Sequence, residues 1–492
     1  MNRYVKKPSI ESGSFNKKGD IVNIDIDEDG YSCPNKSYLL LHCDITTNEP
    51  DSNYIYKVSL NNQNILYPNS ALIRTARWES ERGGTMEEIH KVNELRMAIN
   101  QHALSRDEFE NDSLGSMRNN TDIHNLNGSI FRDLNTVGDK PSRNLTVPIR
   151  VYLKDILGIG KKELYPNEMF GKNRLRLELD ATAVPVNVET NPEVEGQDYA
   201  NNTGANVNLN TITLGDPADN QNAQLYYRDN IPFHVGQLVR VTATGTGNQG
   251  DINVRRRVTN IDFNRTNGHV TITLNQELAT VADGDGFNTI RIHDPPTRAN
   301  GNALTADLNI SEVELVLCKT EPSPDMKNMM SNSIYEYSTF TDEPFSIPAL
   351  TEFHKHVQLE PTCQAVLLVR PDANMVSESN NLERYRLKLN DDDMTNRDVD
   401  IFQPLYWDRI MASWVSMGYD LKSLDIVNGD NGANPPVPFL STFVASPVPM
   451  TEGMKTMEIN LYGGGALTSN ARLYKSVRRA YKLSDGGVQR LY

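Results

Sequence analysis

Lys172 to Asp180 reads KNRLRLELD, and the fold turns on that stretch. Leu175, Leu177 and Leu179 fall on one side, and Arg174, Arg176 and Glu178 on the other, a period of two residues. A strand written this way has one dry face and one wet face, as in an antiparallel sheet packed on one side. The same style recurs outward along the chain. Gly19–Asp27 reads GDIVNIDID, with Val22, Ile24 and Ile26 alternating. Ser37–Thr47, SYLLLHCDITT, begins apolar on both faces, and Tyr54–Leu60 is a third strand. Asn309–Lys319, NISEVELVLCK, turns Val313, Leu315 and Leu317 inward. Ala365–Arg370, Arg384–Asn390, Met457–Tyr462 and Ala471–Val477 repeat the pattern. Short alternating strands punctuated by Asn, Gly, Asp and Pro predict an all-β chain of sandwiches or barrels.

Two helices interrupt the strands. In Thr85–Leu104, Thr85 and Glu88 form a capping box, and Ile89, Val92, Leu95 and Ile99 recur at helical spacing. The second spans Leu405–Met417, with Trp407, Ile410, Met411 and Trp414 as its apolar stripe and Gly418 as its stop. Each is an excursion from a β framework, unlike the strand–helix alternation of a parallel sheet. The organisation that follows is an arm over 1–19, a first sandwich over 20–320, a linker over 321–334 and a second sandwich over 335–492 with a basic tail. Pro322, Pro324 and the lack of periodicity make Thr320–Asn332 a linker. Residues 181–303 differ in character, with short hairpin strands (VNLNTITL, QLVRVTAT, NVRRRVTNIDF, HVTITLN, FNTIRI) that read as a small β-barrel inserted at a loop tip.

Composition bounds the function. Of 492 residues, 49 are Lys or Arg and 64 Asp or Glu, a net charge of −15 that argues against a protein devoted to neutralising phosphates. Cys33, Cys43, Cys318 and Cys363 include no CxxC pair, so buried reduced thiols are expected in place of a zinc module or disulfide scaffold. The opening MNRYVKKPSI lacks the apolar stretch of a secretory leader, and no apolar run reaches transmembrane length. The Asn-x-Ser/Thr sequons at Asn35, Asn127, Asn144, Asn201 and Asn309 are therefore chance matches in an Asn-rich chain.

Chemical motifs each fail on context. GTGNQG, Gly245–Gly250, has the glycine spacing of a dinucleotide loop, but a strand follows where a helix should begin, so it reads as a turn. DIDEDG, Asp25–Gly30, starts like a calcium loop, yet Lys36 stands where the bidentate Glu belongs. LGIGKKE, Leu157–Glu163, lacks the first glycine of a phosphate loop and has Lys162 in the magnesium-binding position. His354 and His356 share a strand face with no third ligand near in sequence, and Asp391–Asp393 is an acidic turn. No GxSxG or HExxH occurs, and no metal, cofactor or catalytic residue is assigned. Two basic segments stand out against the acidic background: Arg3, Lys6, Lys7, Lys17 and Lys18, and Arg472, Lys475, Arg478, Arg479, Lys482 and Arg490. The bland reading is solvated termini; the sharper one is contact with an acidic partner.

The order of elements resembles the double jelly-roll major capsid proteins of the PRD1–adenovirus lineage, especially those of polinton-like viruses, adintoviruses and virophages. ALIRTARWESERGGTMEEIHKVNELRMAIN resembles the run from an early strand of the first jelly roll into its helix. NLTVPIRVYLKDILGIG resembles the segment before the strand KNRLRLELD, and NISEVELVLCK the strand that closes the first barrel. PLYWDRIMASWVSMGYDL resembles the helix of the second barrel, and VPMTEGMKTMEINLYGGG its late strands. The likeness spans most of the chain at the level of pattern, without a diagnostic motif. It implies a non-enzymatic viral structural protein, made in the host cytoplasm and located in the virion. It implies homotrimeric, pseudo-hexagonal capsomers that tile an icosahedral shell beside neighbouring capsomers, penton and minor capsid proteins. The insertion 181–303 becomes an outer tower available to a host receptor. Arg3, Lys6, Lys7, Arg478 and Arg479 become inner-face or inter-capsomer contacts, with nucleic-acid contact at most indirect. Two other readings stand beside it. A secreted or surface β-sandwich binding carbohydrate or receptors would call for a leader and sugar-stacking aromatics, yet aromatics are only 7%. A glycoside hydrolase would call for convergent carboxylates.

Overall fold

The computed structural model describes residues 3–47, 56–59, 67–103, 114, 123–125, 129–132, 144–195, 199, 207–214, 233–263, 270–293, 306–371, 375, 381–419 and 444–492, short of 28, 185, 191–192, 234, 237, 331–332, 395–396, 402 and 485–486. The ends of the strand expected over 54–60, the sequons at Asn127 and Asn201 and the side chain of Trp407 lie outside the described residues.

Eight strands frame the first sandwich, with the short strands Tyr31–Ser32 and Tyr165–Pro166 added to one of its sheets: β1 (Arg3–Pro8), β2 (Lys18–Ile26), β3 (Tyr38–Thr47), β4 (Ile73–Ser80), β5 (Gly84–His90), β6 (Asn144–Tyr152), β7 (Asn173–Asp180) and β8 (Ala306–Thr320). One sheet runs β1-β8-β3-β6 and the facing sheet β2-β7-β4-β5, all antiparallel. The second sandwich has β9 (Ile334–Ile347), β10 (Glu352–Leu359), β11 (Cys363–Val369), β12 (Leu382–Leu389), β13 (Val399–Asp400), β14 (Val444–Pro447), β15 (Lys455–Gly463) and β16 (Ser469–Ser484). Its sheets run β9-β16-β11-β14 and β10-β15-β12-β13. Adding eight to each label of the first sandwich reproduces the second. In both, the first strand pairs with the last and the last with the third, which is jelly-roll order. The fold is all-β: two tandem jelly rolls. Alternation does the work throughout. Leu175, Leu177 and Leu179 of β7 and Val313, Leu315 and Leu317 of β8 are fully buried, and one apolar core extends through both sandwiches.

Helices occupy equivalent crossings: α1 (Val92–Ala103) between β5 and β6, and α3 (Pro404–Ser416) between β13 and β14. Trp414 and Ile410 of α3 are buried as expected, and Gly418 ends it at φ 82°. The capping box at Thr85 is overturned. Thr85 to His90 is the end strand of a sheet, and the helix begins only at Val92, after Lys91 at φ 52°. A bulge explains the misreading. Trp78 pairs with Glu87 and Glu79 with Thr85, so Met86 is an extra residue and Met86 and Ile89 both turn inward, three apart. That imitates helical spacing inside a strand. The linker also departs from expectation. Ser323 caps α2 (Pro324–Met330) by accepting from the Met326 N–H at 3.3 Å, with Pro324 in the first helical position.

The insertion leaves after β7 and returns at β8, the place that a short loop, 464–468, fills in the second sandwich. Its strands, in order, are Glu193–Glu195, Gly286–His293, Leu238–Thr246, Ile252–Phe263, Val270–Leu274 and Thr211–Leu214, one antiparallel sheet. A two-stranded ribbon, Val207–Leu209 with Ala279–Val281, completes a separate apolar core around Val241, Ile272, Phe287 and Ile292. The part of the insertion from Glu193 to His293 thus folds around an interior of its own, while Asn187–Thr190 pairs with Tyr56–Ser59 and Val184 joins the sandwich core. Gly245–Gly250 is the hairpin turn of this sheet, closed by the Asp251 carboxylate accepting from the Gly245 N–H at 2.9 Å.

Candidate functional site

Among the described residues no group of three or more His, Cys, Asp or Glu side chains gathers as a metal ion would require. His354 and His356 lie exposed on β10, with His354 Nδ1 bonded to Asn460 Oδ1. Asp393 holds Arg386, and Asp25 on β2 holds Arg174 at 2.7 Å, so an acid of each motif is taken up in an ion pair within the chain. All four cysteines are buried and unbridged, and burial pushes the Cys363 thiol up to about 11.

The most elaborately built polar site is the seam between the sandwiches. Glu87 of β5 is buried there and accepts from the Gly158 N–H at 2.6 Å, the Ile159 N–H at 3.0 Å and the Thr339 hydroxyl of β9. Burial raises its pKa above the usual carboxylate value, against the pull of those hydrogen bonds and of Lys161. Gly158 is required by closeness: a Cβ there would stand 1.9 Å from the Ser338 carbonyl oxygen. Tyr337 donates to the Met86 carbonyl at 2.8 Å, and Tyr474 to the Lys91 carbonyl at 2.9 Å. Below them Tyr165 stacks on Phe170 at 4.9 Å, and Phe170 meets Tyr335 and Tyr481 edge-on at 5.6 and 5.9 Å. Such ring pairs each add about 0.5–1.5 kcal/mol beyond burial. A cleft of about 490 Å³ opens along the seam beside Lys91, Glu94, Phe345 and Arg472. Its charges are matched: Lys91 to Glu94 at 2.5 Å, and Arg472 to Asp342 and Glu94.

Of the basic residues singled out in sequence, Arg3, Lys6, Lys7, Arg478 and Arg479 lie toward the strand ends that α2 joins, whereas Lys18, opposite Asp180, and Arg472, opposite Pro344, lie toward the other end. Arg3 pairs in register with Lys319, next to α2, and Arg478 and Arg479 with Ser338 and Tyr337, just after it. They are strand residues whose heads meet carboxylates: Lys6 with Glu314 at 2.8 Å, Arg478 with Glu336 at 3.2 Å, Arg479 with Glu360 at 3.0 Å. Lys7 lies opposite Leu315 on β1. The structure brings them to a common base but not into one cluster. Charge alone missed their company. Tyr4, Met326, Met329, Ile334, Leu491 and Tyr492 are exposed at the same base, Met329 by 75%. Sequence reasoning also missed Lys455, a buried ammonium that donates to the carbonyls of Pro361, Cys363 and Pro449 at 3.2, 3.3 and 2.7 Å, with its pKa lowered by burial.

No model of a protein family matches the chain, and no curated protein does. Among solved structures, the Faustovirus major capsid protein aligns over 98% of this chain and 90% of its own, at 9% identity and a TM-score of 0.45. A chain of the Sputnik virophage aligns over 100% and 88%, at 11% identity and 0.43. The mavirus major capsid protein aligns over 99% and 89%, at 7% identity and 0.38.

Proposed function

We propose that this chain is a viral major capsid protein, and that three copies close into a pseudo-hexagonal block that tiles an icosahedral shell. The observation that carries the proposal is repetition within one chain. Two jelly rolls of the same strand order, with a helix at the same crossing, share one core through a seam too tight for a Cβ at Gly158. A rigid pair of equivalent blocks gives six from three chains, and cyclic closure needs only one repeated interface. The base supports it: exposed apolar side chains from both termini and α2 gather there, and patches of this kind mark association surfaces. Arg3, Lys6, Lys7, Arg478 and Arg479 border that patch, and in this reading they contact neighbouring capsomers or the minor proteins beneath the shell. The product is a container, and catalysis has no part in it.

The test is the mass of the purified protein in solution. Three times 55.3 kDa, about 166 kDa, is expected, with pseudo-hexagonal blocks in electron micrographs. A monomer that persists at micromolar concentration refutes the reading. Charge-reversing Lys6, Lys7, Arg478 and Arg479 should leave trimers intact and weaken their joining into shells. Removing residues 478–492 is unsuitable as a test, because Tyr481 and Leu483 belong to the core.

A further inference from the structure

The tower carries an arginine-rich face on the strands Leu238–Thr246 and Ile252–Phe263. On the strand Ile252–Phe263, Asn253, Arg255 and Arg257 point outward, while Ile252 and Val258 point into the tower core. Arg255 lies opposite Arg240 on the next strand, and Thr242, two residues on, lies opposite both Asn253 and Arg291. Directly paired residues share a face, so Arg240, Arg255 and Arg257 stand on one side of the sheet, with Arg291 beside them opposite Glu195. Paired positions are about 5 Å apart, and alternate residues on one strand about 7 Å. Arg240 is fixed by donating to Asn253 Oδ1 at 2.8 Å. Arg257 donates to the Gly236 carbonyl. Arg256 points to the other face, where it donates to the Glu277 carbonyl at 2.8 Å. Among the described residues, neither Arg255 nor Arg257 meets a carboxylate, although the chain has fifteen more acidic than basic side chains.

We propose that this face binds a linear sulfated polysaccharide. Guanidinium forks match the oxygens of sulfate two at a time, and a flat lattice of them suits groups repeated along an extended polymer. Thr242 and Asn253 stand between the arginines as donors and acceptors for sugar hydroxyls. Nucleic acid is the other polyanion, and the face disfavours it. No Phe, Tyr or Trp lies among the outward residues of these two strands for bases to stack on. The inference is independent of the assembly reading, since it concerns one face of a separately cored unit.

The experiment measures binding of the full chain to heparin, to unsulfated hyaluronate and to single-stranded DNA, at about 50 mM salt and upward. Heparin should bind at least tenfold more tightly than either other polymer. R255Q/R257Q should weaken heparin at least tenfold and lower the slope of log Kd against log salt by about two, one for each lost contact. Both positions are exposed, so the unfolding midpoint should not move; R255K/R257K, which keeps the charge, should retain intermediate affinity. The proposal is overturned if the wild type ignores heparin, if R255Q/R257Q binds as the wild type does, if DNA binds as tightly as heparin, or if K6Q/K7Q at the base abolishes the binding instead.

Discussion

Replacing Glu87 tests whether the seam is what makes one body of two sandwiches. In Glu87→Ala, the Gly158 and Ile159 N–H groups and the Thr339 hydroxyl lose their common acceptor while remaining buried. An orphaned buried donor costs about 1–3 kcal/mol. Water entering the space left by the carboxylate recovers part of that, so about 3 kcal/mol in all is expected. Glu87→Gln keeps the volume and one acceptor. If the amide oxygen serves Gly158 and Thr339, its NH₂ faces the Ile159 N–H, for a cost of about 1–2 kcal/mol. The pH dependence has a definite sign. Burial raises the folded pKa above the unfolded value, so the native state holds the proton more firmly. This stabilisation is fully present below the unfolded pKa and is lost as pH rises through the folded one. The neutral Gln has no such slope. The stability gap between wild type and Glu87→Gln is therefore widest in acid and narrows toward neutral pH. Denaturant unfolding of both proteins across pH, followed by tyrosine fluorescence, measures it. An Ala variant within about 0.5 kcal/mol of wild type, half the smallest orphan cost, or a gap that widens with rising pH, refutes the reasoning.

Three further outcomes follow from the same geometry. Gly158→Ala should loosen the seam and lower the unfolding midpoint, because its Cβ would meet backbone, the Ser338 carbonyl at 1.9 Å; an unchanged midpoint would contradict the close approach. Arg96 and Asp155 form a 2.7 Å pair with side chains 7% and 6% exposed. Arg96→Met alone should cost about 3–5 kcal/mol, and adding Asp155→Leu should recover much of it, read in a double-mutant cycle of unfolding free energies. Exchanging residues 193–293, whose ends pair in register, for a loop the length of 464–468 should leave both sandwiches folded, since the tower has its own core while Val184 stays with the sandwich core; loss of cooperative unfolding would show that the sandwich depends on it.

The sandwich strands were legible because each buries one face, and burial writes itself as alternation. β7 shows it plainly, with three leucines inside and two arginines outside. The start of α1 was not legible, because the bulge at Met86 shifts the phase of β5 and only the pairing with β4 reveals it. α2 left a usable trace in Ser323-Pro324-Asp325, overshadowed by the prolines as linker signals. The seam left almost none. Glu87 stands beside Glu88 as one of two adjacent acids, and only the approach of Gly158 and Thr339 from distant parts of the chain sets it apart. At the base, charge said nothing of Met326, Met329 and Ile334, whose exposure shows only once α2 and the start of β9 are placed.

The pairing of β1 with β8 sets an order of manufacture. Val5 finds its partner only when Leu317 has been made, roughly 15–60 s later at ordinary elongation rates. Until then the first sheet lacks its middle strand, while every residue of the tower has already been joined to the chain. The inserted unit is thus synthesised before the sheet that bears it is complete, and the nascent sheet waits with an open edge, exposed to chaperones and to its own siblings on the same message.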